Sequence, residues 1–321
     1  STVAMSGGTL DVDETSTLSG ALTQSGNLTI DVTNGKTLTY SGAAVNTGAN
    51  TLTLSGGGTL NNTNAFVLNN ADSKLLLNNI VLYKASTSLD NSGIDVDANS
   101  TIYALAIGHI TPLSIAAGNS LGGEINVTAG SLKLTETGTL ASNVGMSGGT
   151  LDADETATVS GTLTHSADIT IDVANTKTLT YSGTAIGVGA NTITLTGGGT
   201  FTSGGIALNN AQSKLLLNSI ILDSASTSAN SLGLDVDANS TIAALAVGHI
   251  TPLSIAAGTS LDGAITVSAG SIKLNETGTL ASTIAMSGGT LDVDETSTLS
   301  GDLSQSGNIT IDVLTDKTLT Y

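Results

Sequence analysis

The chain repeats itself on two nested scales, and the shorter repeat limits its fold most narrowly. Pairs of apolar residues separated by one position recur every 18 to 24 residues. A unit of this length cannot bury its own apolar face, so such units stack on one another. The spacing therefore predicts a β-solenoid, with each unit forming one rung. In the first long repeat the pairs begin at Leu10, Leu28, Leu52, Leu75, Ile94, Leu113 and Leu132.

The longer repeat has a period of about 140 residues. The segment MSGGTLDVDETSTLSG begins at Met5, recurs with three changes at Met146, and recurs unchanged at Met286. Residues 1–40 match residues 282–321 at 33 of 40 positions. We divide the chain into long repeats at 5–145 and 146–285 and a partial repeat at 286–321. We expect residues 1–321 to form one continuous solenoid segment of a longer array.

Two further apolar columns complete each rung. The third column is faint and begins at Leu22, whereas the second is regular. Alternation such as Leu10–Asp11–Val12 favours strands with one buried face. The predicted fold is all-β, a parallel β-helix of about 16 rungs of about 20 residues, with three short strands per rung. The general preference of parallel crossovers predicts a right-handed winding. The second column consists of Leu18, Leu38, Leu60, Leu82, Ile102, Leu121 and Leu140.

The charge balance excludes several classes of partner. The formal net charge is −18, and all eight basic residues are Lys. Nucleic-acid binding needs clustered cations, which scattered lysines do not supply. No apolar run reaches the ~20 residues of a membrane span, so we expect no membrane insertion.

The rung sequences GGTLDVDETSTLSG and KTLTYSG, set in three columns, carry a family resemblance. The chain resembles the parallel β-helices of bacterial autotransporter passengers and filamentous-haemagglutinin-type adhesins. It is also similar to giant repetitive surface proteins of environmental bacteria and archaea. The resemblance implies a cell-surface location and a role in adhesion, scaffolding or filament formation.

Acidic residues align just after the first strand of successive rungs. They have two interpretations. Asp and Asn at corners form solvated ladders by bonding nearby backbone N–H groups. Alternatively, two stacked carboxylates and backbone carbonyls could hold calcium, the only cofactor that we consider. The segment lacks the glycine at the sixth position of an EF-hand loop. The aligned pairs are Asp13 with Asp31, Asp154 with Asp172, and Asp294 with Asp312.

Catalysis is not expected. Two carboxylates about 5–10 Å apart in a cleft could serve a glycosidase, but the acidic pairs recur on a regular face. His109 and His249 occupy equivalent GHITPL segments about seven rungs apart, so they cannot share a metal. We predict no catalytic residues.

Outward apolar residues mark the candidate interaction surface. In LLLNNIVL, Leu75 and Leu77 point inward, so Leu76 and Val81 point outward. Such residues either invite contact with a partner or lie beneath long loops that include Phe66 and Tyr83. The equivalent residues of the second repeat are Leu216 and Ile221.

These patterns favour a non-catalytic structural rod in a long extracellular fibre, sheath or adhesin stalk. It would self-associate laterally or end to end, with other copies of itself or other repeats of the same chain as partners. The alternative is an adhesive module, with or without bound calcium, that binds a surface glycan or a partner surface. Contacts repeated at the same rung of each repeat would favour the rod. A site confined to one repeat would favour the adhesive module.

Overall fold

A computed structural model describes residues 2–321, which fall into two compact units, Ser1–His165 and Ser166–Tyr321. Among these residues every regular element is a β-strand. Each unit is a parallel β-solenoid with eight strands in its first column, which gives about 16 rungs in all. The predicted fold class is confirmed, while the predicted right-handed winding and single continuous segment stay predictions.

The first column supplies one strand to every rung, and its strands pair in parallel and in chain order within each unit. In unit 1 they are Gly8–Val12, Leu28–Val32, Thr51–Ser55, Lys74–Asn78, Gly93–Ala98, Thr111–Ile115, Ser131–Leu134 and Thr150–Ala153. In unit 2 they are Ile169–Val173, Thr192–Thr196, Lys214–Asn218, Gly233–Ala238, Ile250–Ile255, Ser271–Leu274, Thr290–Val293 and Thr310–Val313.

The second and third columns form separate short strands in some rungs and merge into one long strand in others. The separate second-column strands are Ser16–Leu18, Thr37–Tyr40, Thr59–Asn62, Thr139–Leu140, Ala157–Val159, Thr178–Tyr181, Thr200–Thr202, Thr279–Leu280, Ser297–Leu299 and Leu319–Thr320. The separate third-column strands are Val3–Met5, Leu22–Gln24, Val45–Asn46, Phe66–Leu68, Asn143–Met146, Leu163–His165, Ile186–Gly187, Ile206–Leu208, Thr283–Met286 and Leu303–Gln305. The merged strands are Val81–Thr87, Ser100–Ile107, Ser120–Val127, Ile221–Thr227, Ser240–Val247 and Ser260–Val267.

The register of the first column confirms most of the predicted alignment and corrects part of it. Leu10 pairs with Ile30 rather than Leu28, and Leu132 pairs with Thr111 rather than Leu113. Side chains alternate with a period of two, so a slip of two residues leaves the same apolar residues facing inward. The apolar pattern alone does not separate the two registers. The predicted steps from Leu28 through Leu52, Leu75 and Ile94 to Leu113 are confirmed.

The second column shows slips of the same kind. Leu18 pairs with Tyr40 rather than with Leu38, which pairs with Ser16. Further along, Leu121 pairs with Ser100, two residues before its predicted partner Ile102. Ser100 and Tyr40 are buried, and both use their hydroxyl groups to satisfy backbone atoms. Polar residues therefore stand in a column that the sequence pattern reads as purely aliphatic.

The core is a set of stacked aliphatic rows that also contains a few buried aromatic rings. Leu52, Leu75 and Ile94 follow one another on adjacent strands and are fully buried. The rings of Tyr40 and Phe66 stack with centroids 6.1 Å apart. The expectation that Phe66 lies in a covering loop is wrong, because its strand places it inside the third column.

A β-bulge lies where the second and third columns merge. Ile102 pairs with Gly123 and Leu105 pairs with Ile125, so two residues of one strand face a single residue of the next. Gly123 has a φ of 107°, and a Cβ there would fall on the carbonyl oxygen of Ile102. Only glycine fits this position without strain. The same bulge recurs in unit 2, where Ile242 pairs with Gly263.

Candidate functional site

The predicted carboxylate stacks are out of register in the structure. Asp31 lies opposite Asp11 rather than Asp13. The same offset separates Asp294 from Asp312, which lies opposite Asp292. These two predicted stacks are therefore wrong, for the reason that applies to the leucine columns: a slip of two residues preserves the face of each side chain.

The carboxylates of the first predicted pair bind other side chains instead. The Thr33 hydroxyl donates to Asp13 Oδ1 at 3.2 Å. The Ser55 hydroxyl donates to Asp31 Oδ2 at 2.6 Å. Both donors lie on the following rung, so each carboxylate helps to join two rungs. The corner acids thus bond neighbouring groups, as in the ladder interpretation, but the donors are side-chain hydroxyls rather than the backbone N–H groups that it named.

In the second predicted pair, Asp154 is bound by a lysine of the preceding rung, together with the neighbouring Asp152. Lys133 Nζ lies 2.9 Å from Asp152 Oδ2 and 2.9 Å from Asp154 Oδ2. Lys133 pairs with Asp152 across adjacent strands, and Asp154 is two positions further on the same outer face. Asp172, the predicted partner of Asp154, belongs to the other unit.

The equivalent lysine of unit 2 makes the same contacts. Lys273 Nζ lies 3.0 Å from Asp292 Oδ2 and 2.7 Å from Asp294 Oδ2. Hydrogen bonds to Asp294 and Asp292 raise the pKa of Lys273. Burial alone would lower the pKa of Lys133, but its bonds and attraction to Asp154 and Asp152 outweigh burial and raise it. Both ammonium groups are thus held in the charged form.

Four more ion pairs each join one acid to one lysine. Together with the contacts of Lys133 and Lys273 we call them the lysine–acid ladder. Each pair joins residues of successive rungs, with the acid and the base 21 or 22 positions apart. The members are Lys36 with Glu14 at 2.6 Å, Lys74 with Asp95 at 2.6 Å, Lys214 with Asp235 at 2.5 Å, and Lys317 with Glu295 at 2.6 Å.

A cation site needs several ligands that converge on one point. Calcium takes six to eight oxygens. Among residues 2–321 no group of three or more His, Cys, Asp or Glu side chains is arranged to hold a metal ion. A lysine ammonium contacts both carboxylates of Asp152 and Asp154, and another contacts both carboxylates of Asp292 and Asp294. The calcium hypothesis stays a prediction, and its remaining geometric basis is the pair of Asp11 and Asp31.

The predicted outward leucines are only half-buried and are flanked by charge. Leu76 lies opposite Asp95 on the next strand, and Lys74 precedes Leu76 by two positions on the same face. The Lys74–Asp95 ion pair therefore runs beside Leu76. Leu216 is half-buried in the same surroundings, beside Lys214. Neither leucine offers a broad apolar surface.

Val81 and Ile221 line two equivalent grooves, one in each unit. The first has a volume of about 180 Å³ and the second about 230 Å³. Val81 is half-buried, whereas Ile221 is 46% exposed. Both grooves are walled by the polar corner residues Asn99 and Asn239 and their neighbours. The prediction that these two positions face outward is confirmed, but they lie in a different column from Leu76 and Leu216.

A more exposed set of aliphatic residues was missed by the sequence pattern. We call it the apolar corner: Leu89 and Ile110 in unit 1, and Leu232 and Ile250 in unit 2. Ile110 is 48% exposed and Ile250 is 47% exposed. Their amides are held in place by Asp90 at 2.9 Å and by an asparagine in unit 2 at 3.1 Å. The recurrence of GHITPL in both repeats was a signal that could have found it.

Two exposed tyrosines were also missed as a pair. Tyr83 and Tyr103 lie on neighbouring merged strands, with ring centroids 4.9 Å apart. The second repeat has Asp223 and Ala243 at these positions. A comparison of the outward positions of the two repeats would have picked them out.

The histidines remain separate from one another. His109 Nδ1 lies 3.8 Å from Asp90 Oδ1, at the edge of ion-pair distance. His249 belongs to the other unit, and its carbonyl oxygen accepts a bond from the Thr251 hydroxyl. His165 lies in a third-column strand opposite Met146. These contacts are those of corner and surface residues.

Comparison with protein-family models, with curated proteins and with solved structures found no match. In the part of the chain that the structure describes, no helix has the length and apolar character needed to cross a membrane.

Proposed function

We propose that this chain is a non-catalytic structural segment of a long extracellular repetitive protein, of the kind that forms surface fibres, sheaths or adhesin stalks. Its partners are further copies of the same chain or other repeats of the same protein. The observation that carries this proposal is the apolar corner, whose isoleucine recurs at the equivalent place in both long repeats and whose leucine lies in the same loop of each.

The recurrence favours self-association over a single binding event. Ile110 and Ile250 have almost the same exposed fraction and the same backbone anchoring. The companion leucine changes place within the loop, from Leu89 in the first repeat to Leu232 in the second, yet each loop keeps one. A second copy of the chain carries the same two corners, so more than one contact of the same kind can form between two copies and strengthen a weak interaction.

The repeat also supplies the stiffness that a fibre segment needs. Parallel strands join each rung to the next, and the lysine–acid ladder adds ionic contacts along the outer face. Rungs of this kind contact only their neighbours, so stability grows with the number of rungs. Such a design suits a long load-bearing element.

The proposal is tested by the oligomeric state of the chain. We expect sedimentation to show association of the wild type as its concentration rises from about 1 µM to about 1 mM. The variant carries Leu89→Ala and Leu232→Ser, each the residue that the other repeat has there, with Ile110→Thr and Ile250→Thr. It should remain monomeric while unfolding at the same temperature within a few degrees.

The control variant carries Leu76→Thr and Leu216→Thr, at positions that are half-buried beside ion pairs. It should associate like the wild type. A wild-type chain that stays monomeric over the whole range, or a corner variant that associates equally well, would contradict the proposal.

A further inference from the structure

The two long repeats share their backbone at the β-bulge but differ in the residues that face outward there. The aligned segments are VLYKAST and ILDSAST, TIYALAI and TIAALAV, and GGEINV and DGAITV. Inward residues such as Leu82, Ile102 and Ile125 have identical counterparts. Several outward residues differ: Tyr83 and Tyr103 correspond to an aspartate and an alanine. The packing is conserved between the repeats while this surface is not.

The two tyrosines form an exposed aromatic pair. Leu82 pairs with Ile102, which sets Tyr83 beside Tyr103 on adjacent strands. Their rings meet edge to face, at 73°, and are 38% and 51% exposed. Among residues 2–321 neither hydroxyl group has a hydrogen-bond partner within the chain. By contrast, Tyr40, Tyr181, Phe66 and Phe201 are buried.

Residues of both charges lie next to the tyrosines in the sequence or in the strand register. The bulge leaves Glu124 alone opposite Tyr103 and the residue that follows it, and both Glu124 and Tyr103 are exposed. Lys84 follows Tyr83, and its Nζ donates to the Thr63 carbonyl oxygen at 2.9 Å. Both charged side chains are exposed. The second repeat has alanine and serine in place of Glu124 and Lys84.

Tyr83 has no structural task that would explain it. In the second repeat, Asp223 accepts a hydrogen bond from the Ser203 amide at 2.8 Å and so holds the neighbouring corner. In the first repeat Asn62 takes over that work, accepting from the Lys84 amide at 3.0 Å and donating to the Asn64 carbonyl. The corner is complete without Tyr83.

We propose that Tyr83, Lys84, Tyr103 and Glu124, which we call the tyrosine platform, bind a neutral oligosaccharide. The exposed ring face offers an apolar surface to the C–H face of a sugar ring, and tyrosine adds a polar hydroxyl at its tip. The carboxylate and ammonium groups accept from and donate to sugar hydroxyls. The net charge of −18 disfavours anionic glycans. A stable protein interface needs about 800 Å² per partner, far more than two tyrosines provide.

The platform goes beyond the proposed structural role: it occurs in one repeat only, which is the pattern expected of an adhesive site, and it does not depend on association. It would let a repetitive segment hold a surface glycan at one defined place in each copy of the chain. Two rings and two charged groups suffice for one or two sugar units, so we expect weak binding, with a Kd in the millimolar range.

The test is titration of the full chain with cellohexaose, chitohexaose and maltohexaose, followed by calorimetry and by tyrosine resonances in NMR spectra. The absence of Trp and the small number of Tyr, five, make the tyrosine signals easy to assign. We expect at least one sugar to bind and to shift the Tyr83 and Tyr103 resonances. The double variant Tyr83→Asp, Tyr103→Ala carries the residues of the second repeat, so it should fold normally and bind at least tenfold more weakly.

A reciprocal variant guards against indirect effects. Asp223→Tyr, Ser224→Lys, Ala243→Tyr and Ala264→Glu together should create binding in the second repeat of a chain whose first platform has been removed. The inference is overturned if none of the three sugars binds with a Kd below about 10 mM. It is also overturned if the double variant binds as tightly as the wild type, or if the shifts fall on other tyrosines.

Discussion

Replacing Lys133 by methionine should weaken unit 1 by a predictable amount. The ammonium group joins Asp152 and Asp154 at 2.9 Å each, and the Lys133 side chain is 31% exposed. An exposed ion pair contributes about 0.2–1 kcal/mol. Two pairs on a partly exposed lysine therefore contribute about 1 kcal/mol to the free energy of unfolding. Methionine keeps most of the side-chain volume, so the loss is mainly electrostatic.

For a unit of this size, a loss of about 1 kcal/mol corresponds to a fall of about 2–4 °C in the unfolding midpoint. Circular dichroism of the full chain at pH 7 and low salt would measure it. Lys273→Met should produce a fall of similar size in unit 2, because Lys273 has equivalent partners. Lys133→Arg keeps the charge and serves as the control.

The contribution of Lys133 to the free energy of unfolding should depend on pH in a defined direction. The pKa of Lys133 is raised in the folded chain above its ordinary value of 10.5. The folded state therefore binds this proton more tightly than the unfolded state does. The stabilisation is fully present below pH 10.5 and is lost as the pH rises through the higher, folded-state pKa. The difference between wild type and Lys133→Met should be equal at pH 7 and pH 9 and should shrink above pH 10.5.

Added salt should also shrink the difference in unfolding midpoint between wild type and Lys133→Met, because about 1 M salt screens exposed charges beyond about 3 Å. Equal midpoints for wild type and Lys133→Met at pH 7 and low salt would refute the reasoning. So would a difference that grows, rather than shrinks, at alkaline pH.

Three further changes follow from the same structure, each measured by unfolding of the full chain. Asp11→Asn removes a like charge opposite Asp31 and should stabilise unit 1 by about 0.2–1 kcal/mol; if calcium bridges the pair, the same change would instead destabilise the chain in calcium and not in chelator. Gly123→Ala combines positive φ with a clash against the backbone and should lower the free energy of unfolding by at least about 3 kcal/mol. Its control, Gly118→Ala, has positive φ but open space and should lower it by about 1 kcal/mol. Equal losses for the two variants would contradict the bulge. Leu77→Ala should cost about 3–5 kcal/mol because the side chain is fully buried between rungs, and a cost below about 1 kcal/mol would show that the rung is not packed.

The sequence predicts the fold well because the apolar pattern repeats in every rung. It predicts the register less well, and the reason is physical. A step from Leu10 to Leu28 and a step from Leu10 to Ile30 bury the same faces. Corner length, not hydrophobicity, decides between them. The predicted stacking of Asp13 on Asp31 depended on which of these two registers the strands adopt, as did every other predicted contact between side chains of adjacent rungs.

The candidate surfaces depended on a different kind of information. The pairing of Lys133 with Asp152 follows from the predicted alignment, because Leu132 and Leu151 pair as expected. The apolar corner does not follow from it, because Ile110 lies between strands, where alternation gives no direction. The exposure of such a residue depends on how the loop crosses the corner, and only the folded chain supplies that.

The distribution of charge links the fold to the proposed association. At least six of the eight lysines are engaged in ion pairs with acids of a neighbouring rung, in a chain with 26 acids. Most lysine charges are therefore neutralised by acids of the same chain, and the remaining surface is strongly negative. Two copies that approach through their apolar corners must overcome this repulsion. Added salt should then have opposite effects on the two levels of structure: it weakens the lysine–acid ladder within a chain and strengthens the contact between chains. Association that weakens as salt rises would mean that ion pairs, rather than the apolar corners, hold the copies together.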